Sequence, residues 1–482
     1  MTMTTVRSPE TKLPPAGKLG IRTLIGYSAG DFANNLAFAL GTAFLLLYYT
    51  DVVGLPAAAI GTMFLIVRLW DAFADLFAGR MVDRTMTRWG KFRPFILFFS
   101  FPLLVMSVLT FYVPTGWDGG TQLMYAYLTY AVLGLLYSMV NVPYGSLATA
   151  MTQRPKERAK LAVSRGLGAG SASLLLTFII APQIQSISGN KALSAQERAD
   201  QLQQVFLNTT LLFVALGFAL YLLTFFTCRE TVVRAEPRVG IRDTLRTLKT
   251  NKALGILCAS SFFYLIGAFA VGGAMAYYAI YVLGDAKFLI WMTLAQVVVQ
   301  FATAPFVPML VGKFGKKNLF QYCGLFTVVG GVALFLTPAS LPLLALLFYA
   351  IKGFGVSLIN TLMWALEADT VEYGEWKTGQ RTEGATYAIF SFTRKITQSI
   401  GGALGAFALA LGGYITKLAA DQVQPESAIT AIKAAIGLVP AVAAILAMIA
   451  FIAYPLTEKK FAEIVEHNEA RKQALLAEKA VA

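Results

Sequence analysis

The chain has 482 residues, of which 57% are apolar and 14% charged, and its formal net charge is +14. So few charges exclude an ordinary water-soluble surface, for which about a quarter of residues would be charged, and the apolar excess excludes a disordered chain. Three cysteines exclude a disulfide scaffold, and a mean hydropathy of +0.63 argues against nucleic acid as a partner, despite 40 Lys and Arg against 26 Asp and Glu.

Residues 1–22 are polar and lack the apolar stretch of a secretory signal; they read as a cytoplasmic N-terminal tail. A lipid-spanning helix needs about 20 mainly apolar residues. Twelve runs supply them, near 23–50, 57–80, 94–114, 121–151, 163–183, 204–228, 253–283, 287–311, 318–337, 341–366, 383–414 and 428–455. Continuous stretches such as Leu341–Ile351 lack the alternation of a membrane β-barrel. The chain therefore reads as an all-α membrane protein, with its partner solvent being lipid. A polar loop at 229–252 divides it into a six-helix set at 23–228 and another at 253–455, and 456–482 forms a second tail. A basic, glycine-bearing turn follows the second span of each set, Gly79-Arg-Met-Val-Asp-Arg84 and Gly312-Lys-Phe-Gly-Lys-Lys317. That echo predicts twelve transmembrane helices in two pseudo-symmetric six-helix bundles, the major facilitator fold.

The positive residues then sort by side. The two tails, the central loop and every second connection hold 31 Lys and Arg; the other six connections hold only Lys191, Arg198, Lys287 and Lys417. By the positive-inside rule both tails are cytoplasmic. Most of the net charge is thus orientation.

Enzymatic motifs are missing. No G-x-x-x-x-G-K-[ST] occurs to cradle ATP, and the only histidine, His467, lies in the C-terminal tail. Cys228, Cys258 and Cys323 have no metal spacing and read as reduced packing residues. The expectation is a protein that is not an enzyme and has no cofactor.

Ionisable side chains inside a membrane cost about 2.5–3.5 kcal/mol each on insertion scales, so each needs a reason. The second span carries Arg68, Asp71 and Asp75 on one helical face. Two carboxylates one turn apart repel when both are ionised. They read either as a structural ion-paired face or as a coupling site in which Arg68 neutralises one Asp and the other takes a proton or sodium ion. The first span adds Asp31, Asn34 and Asn35, and the fourth adds Tyr137, Ser138 and Asn141. The tenth adds Asn360 and Lys352; the eleventh adds Ser391, Lys395 and Gln398 on one stripe, with Arg394 rotated about 100° away. Amides in lipid either glue helices together or, facing a common axis, line a cavity for a hydroxyl-rich solute. The pairs Gly26/Gly30, Gly166/Gly170 and Gly401/Gly405 permit close helix approach.

Tyr27-Ser-Ala-Gly-Asp31, Tyr49-Thr-Asp51, Arg68-Leu-Trp-Asp-Ala-Phe-Ala-Asp75, Trp89-Gly-Lys-Phe-Arg-Pro94, Glu367-Ala-Asp-Thr-Val-Glu-Tyr-Gly-Glu375 and Arg381-Thr-Glu-Gly384 resemble the glycoside–pentoside–hexuronide:cation symporters over residues 20–465. Asn141-Val-Pro-Tyr-Gly-Ser-Leu-Ala-Thr-Ala-Met-Thr152 and Phe392-Thr-Arg-Lys395 are most similar to the bacterial β-glucuronide carriers within that family. The resemblance implies a multi-pass protein of the bacterial inner membrane, with a cation site at Asp71, Asp75, Arg68 and Ser138. Ala74 replaces the Asn of the family's melibiose carriers; because a sodium cage needs several oxygen donors, this tilts the expected coupling ion toward H+, with Na+ left open. It also implies a sugar site at Asp31, Asn34, Asn35, Asn141, Tyr137, Arg165, Asn360, Ser391, Arg394, Lys395 and Gln398. Asn35 and Asn141 stand where carboxylates are expected in melibiose carriers, and Arg394 is added, which favours an anionic sugar. Asp83, Arg84, Glu367, Asp369, Glu372 and Arg381 are expected to form a cytoplasmic gate. The combined expectation is a secondary active symporter importing a glucuronide, or related glycoside with a carboxylate, together with a proton. The alternatives are a sodium-coupled carrier of a neutral glycoside or pentoside, and a non-transporting sugar receptor or scaffold.

Overall fold

A computed structural model describes residues 19–152, 155–190, 192–230, 247, 249–380, 382–417 and 422–481. Among them the architecture is helical, with one isolated bridge between Thr87 and Gly90. The long helices are α1 (Ile21–Leu47), α2 (Ala57–Arg84), α3 (Arg93–Thr110), α4 (Gly119–Met151), α5 (Pro155–Ser188), α6 (Ala195–Thr227) and α7 (Lys252–Tyr277). The second half continues with α8 (Phe288–Phe314), α9 (Lys316–Leu336), α10 (Pro342–Thr378), α11 (Glu383–Leu411) and α12 (Glu426–Ile452). A polar helix, α13 (Glu458–Val481), follows.

Eleven of the first twelve helices are long and apolar enough to cross a membrane. The exception is α11. It has the length, 29 residues, but Arg394, Lys395 and Gln398 in its middle depress its hydropathy. Within the first half α1 packs on α5 and α6, α2 on α4, and α3 on α4 and α6; within the second, α7 packs on α11 and α12, α9 on α10 and α12, and α8 on α10. These are the two six-helix bundles expected. Contact between them runs along α2–α11, α1–α7 and α5–α8. The outer surface bears exposed Phe178, Leu336 and Leu343, as contact with lipid requires.

Local irregularities have identifiable causes. Both α1 and α7 end in a π-helical turn, Tyr48–Val53 and Tyr278–Val282. Gly54 and Gly284 follow with φ of +90° and +75°, a backbone region glycine occupies freely. Pro305 and Pro308 convert Ala304–Phe306 of α8 to a 3₁₀ turn because neither has an N–H for the helical ladder. The glycine pairs divide in role. Gly401 and Gly405 lie against the backbone of α7, whereas Gly166 and Gly170 meet only Phe301 and Val297 of α8, across the bundle boundary. The tight α1–α5 crossing is made by Gly168, where a Cβ would overlap the Ser28 carbonyl.

The far ends of two elements differ from the sequence expectation. Helix α10 runs through Glu367–Thr378, about three turns past the apolar run, and the C-terminal tail is largely helical. Helix α13 docks on α10, with Asn468 Nδ2 donating to the Glu372 carbonyl oxygen at 3.1 Å.

Candidate functional site

Most polar residues of the spans fall into three clusters, one of which bridges the two bundles. On α2, Arg68 Nη1 lies 3.4 Å from Asp71 Oδ2, one turn away as the three-residue spacing dictates. Asp71 Oδ1 is buried without a hydrogen-bond partner. It faces Gly134 of α4, where a Cβ would overlap it, and Ser138 continues the same α4 face one turn on. Arg68 also lies over the Phe38 ring, 5.6 Å from its centroid, and Phe38 stacks on Tyr137. Asp75, one turn along α2, forms an ion pair with Lys395 of α11. This pair joins the two bundles.

The expected pattern placed Arg68 with the coupling carboxylates and Lys395 with substrate. In this state each carboxylate of the pair has its own cation, and the cation on Asp75 comes from the opposite half. Ala74, between them, is buried.

A second cluster lies on α1 and α5. Arg165 Nε donates to Asp31 Oδ1 at 3.1 Å, and its guanidinium is 5.3 Å from the Tyr144 ring centroid. Asn35 Nδ2 donates to the Asp31 carbonyl at 2.8 Å and to Asp31 Oδ2 at 3.3 Å. Asn35 is thus held by Asp31 one turn earlier, whose charge is paired with Arg165. Asn34 corrects the sequence reading further. It is fully buried and accepts a hydrogen bond of 2.7 Å from Tyr221 of α6, because a 100° step turns it away from Asn35 and into the bundle interior.

The third cluster belongs to the C-terminal half. Helix α11 is continuous through residues 394 and 395, so the two cations diverge. Lys395 reaches α2, while Arg394 reaches Asn360 of α10, with both guanidinium nitrogens 3.2 Å from Asn360 Oδ1. The same guanidinium lies 5.0 Å from the centroid of Trp364. Trp364 stacks with Tyr387 at 6.1 Å, and these rings are 39% and 56% exposed. Ser391 and Gln398 flank the two cations on α11, and Asn141 lies one turn beyond Ser138 on α4; these three are half-buried. Lys352 stays apart from the cavity. It is buried, with Nζ donating to the Ile436 carbonyl oxygen of α12 at 3.0 Å.

Of the expected gate, Asp369 Oδ2 accepts from Lys316 Nζ at 2.6 Å, and Glu372 Oε2 from Asn468 at 3.2 Å, both within the C-terminal half. Glu367 is half-buried near Glu383, and Arg84 is exposed. The Asp83 side chain and Arg381 lie outside the described residues.

Sequence reading missed a cluster at the end of the bundle opposite the tails. Asp51, at the end of α1, accepts from Tyr281 at 2.6 Å, from Tyr414 at 2.7 and 2.9 Å, and from Thr50 at 2.8 Å. The available signal was the repeat of Tyr48-Tyr49 before Gly54 by Tyr277-Tyr278 before Gly284.

The chain is 48% identical over 458 residues to the "Glucuronide carrier protein homolog" of Escherichia coli, covering 95% of this chain and 97% of that protein. It is 35% identical to the "Putative 2,3-dihydroxypropane-1-sulfonate exporter" of the same species, covering 96% and 98%. Among solved structures it resembles a bacterial homologue of the human lysosomal transporter Spinster, with a TM-score of 0.64 over 92% of this chain and 97% of that one; at 14% identity this is a likeness of fold. The relatives are transporters, not enzymes, and the MFS/sugar transport protein family matches residues 26–458: the chain is a multi-pass membrane transporter of that family.

Proposed function

We propose that the protein is a symporter that imports an anionic glycoside, a glucuronide in the first instance, together with a proton by alternating access. The observation carrying this reading is Arg394. Arg68, Arg165 and Lys395 each face a carboxylate, whereas the partners of Arg394 are the neutral Asn360 amide and the Trp364 ring. A guanidinium so held presents its remaining N–H fork to a substrate carboxylate, and the exposed Trp364 and Tyr387 faces suit the apolar face of a sugar ring. Two relatives support an anion by their names, one a glucuronide carrier homologue and the other a sulfonate exporter.

The Asp75–Lys395 pair gives the coupling a physical route. A proton on Asp75 removes its charge and releases Lys395, which then offers a second cation to the substrate carboxylate. Proton and substrate thereby favour each other's binding through one shared lysine. A proton needs a single carboxylate oxygen, and the Asp71–Gly134 contact leaves little room for the multiple oxygen donors of a sodium cage. With the basic tails cytoplasmic, the protein lies in the bacterial inner membrane.

Uptake by proteoliposomes of a radiolabelled aryl glucuronide decides the matter. An inward proton gradient should drive accumulation that a protonophore collapses, with or without sodium. Accumulation driven by sodium alone, or preference for a neutral glycoside, would move the protein to the sodium-coupled alternative. Binding with no accumulation under either gradient would make it a receptor.

A further inference from the structure

The bundles are tied together at the end opposite the tails by bonds that run from donors of one half to a single acceptor of the other. Asp51 is that acceptor. It lies in the π-helical turn that closes α1, and Tyr281 lies in the matching turn that closes α7. Tyr414 lies just beyond α11. Both carboxylate oxygens are bonded: Oδ1 to Tyr414 and Thr50, Oδ2 to Tyr281 and Tyr414. Thr50 Oγ1 is in turn 2.7 Å from the Tyr277 hydroxyl. Each hydroxyl has one proton; with the Thr50 proton on its shortest acceptor, Asp51 at 2.8 Å, in place of the Leu46 and Leu47 carbonyls at 3.1 and 3.3 Å, Tyr277 donates to Thr50, Thr50 to Asp51, and Tyr281 and Tyr414 to Asp51. Every chain of donation begins in the C-terminal half and ends on Asp51 of the N-terminal half.

The surroundings fit a contact that opens as a unit. The rings of Tyr277, Tyr281 and Tyr414 pack on one another with centroids 5.2 to 6.3 Å apart, so they move as one surface. Immediately outside lies a cavity of about 410 Å³ lined by Asp51, Gln185, Arg198, Tyr281, Lys417 and Gln424, drawn from both halves. Its two cations give an arriving anion a place to rest against the closed contact. Gln185 adds a smaller tie, its Oε1 accepting from Ala286 N at 2.7 Å.

We propose that Asp51, with Tyr281, Tyr414 and the Tyr277–Thr50 relay, is the latch of the gate at this end. It holds the bundles in the state described here and breaks when the transporter opens to the opposite side. The inference rests on alternating access alone, and neither the identity of the sugar nor that of the coupling ion enters it.

The test measures a distance with no substrate present. The full-length protein in lipid nanodiscs carries Gln196→Cys and Glu426→Cys, exposed positions on the two halves at this end; the three native cysteines are buried. Spin labels there report separation by pulsed electron resonance. A hydrogen bond to a charged acceptor is worth enough that each hydroxyl removed should raise the open-to-closed ratio about tenfold or more. Tyr281→Phe with Tyr414→Phe should therefore move population from the short to a longer distance. Tyr278→Phe is the control, because its hydroxyl is buried without a partner in the same turn. An unchanged distribution in the double variant overturns the latch. So does an equal shift in Tyr278→Phe, which would mean general loosening.

Discussion

Lys352 is a cation held deep in the C-terminal bundle at 3% exposure, and the reason lies in α12. The Ile436 carbonyl would normally receive the N–H of residue 440, which is Pro440 and has none. Lys352 Nζ takes that place from α10 at 3.0 Å, where α12 breaks at Gly437 and the C-terminal end of its first segment favours a cation. The ammonium also lies 4.5 Å from the Tyr349 ring centroid. Lys352→Met alone combines two opposed effects. It orphans a buried carbonyl, costing about 1–3 kcal/mol, yet removes a buried charge whose desolvation costs several kcal/mol. A double-mutant cycle with Pro440→Ala separates the two. The alanine restores the N–H, so the carbonyl no longer needs the lysine, while the self-energy of the charge cancels between the arms. The coupling should be about 1–3 kcal/mol, with Lys352→Met less harmful on the Pro440→Ala background. Reversible unfolding in mixed micelles, followed by tryptophan fluorescence, measures all four corners. A coupling within about 0.3 kcal/mol of zero refutes the capping role.

Three further outcomes concern transport. Asp75→Asn should abolish gradient-driven accumulation while retaining exchange of substrate across the membrane, measured as counterflow; accumulation at the unaltered level removes Asp75 from coupling. Arg394→Gln should weaken a glucuronide by about tenfold to a hundredfold, the worth of a charge-assisted pair, and weaken a neutral glycoside far less in the same uptake assay. Gly134→Ala should displace the Asp71 carboxylate, since the new methyl would overlap Oδ1, and so disturb its pair with Arg68; uptake should fall while staying proton-driven, and uptake at the unaltered level would show that the placement of Asp71 is not needed.

The spans were legible because hydropathy is read from composition along a single dimension: the expected 57–80 and 121–151 became Ala57–Arg84 and Gly119–Met151. Extensions beyond lipid were not, since Glu367–Thr378 and α13 are polar helices whose stability comes from packing on each other. In the site, helical spacing correctly put Arg68, Asp71 and Asp75 on one face and separated Arg394 from Lys395. Spacing on one helix cannot say which neighbouring helix a face meets. Asn34 therefore shares a face with cavity candidates in the sequence yet meets Tyr221 in the fold, and the partner of Lys395 is defined only by α11 lying beside α2. Asp51 is visible in the Tyr49-Thr-Asp51 motif, but its partners are not, for the same reason: its donors are 230 and 363 residues away.

The positive charge of the spans has a distribution that bears on how the machine moves. In the N-terminal half Arg68 and Arg165 are satisfied by Asp71 and Asp31 of the same half. What that half then offers across the boundary is acceptors, Asp75 at mid-membrane and Asp51 at the end opposite the tails. The C-terminal half offers donors, Lys395 to the first and the tyrosine hydroxyls to the second. A boundary held by apolar packing would carry no chemical handle, because lipid tails compete equally for such surfaces. A boundary held by acceptor–donor pairs can be released one pair at a time, by a proton on the acceptor or a carboxylate taking the donor. On the proposed mechanism the central pair is the one that a proton and an anionic sugar both act on, and the distal one yields whenever that end opens. On that mechanism coupling rests on the central pair alone while the distal pair only sets how readily that end opens, so a variant that frees the distal pair while sparing the central one should exchange substrate readily yet still accumulate it.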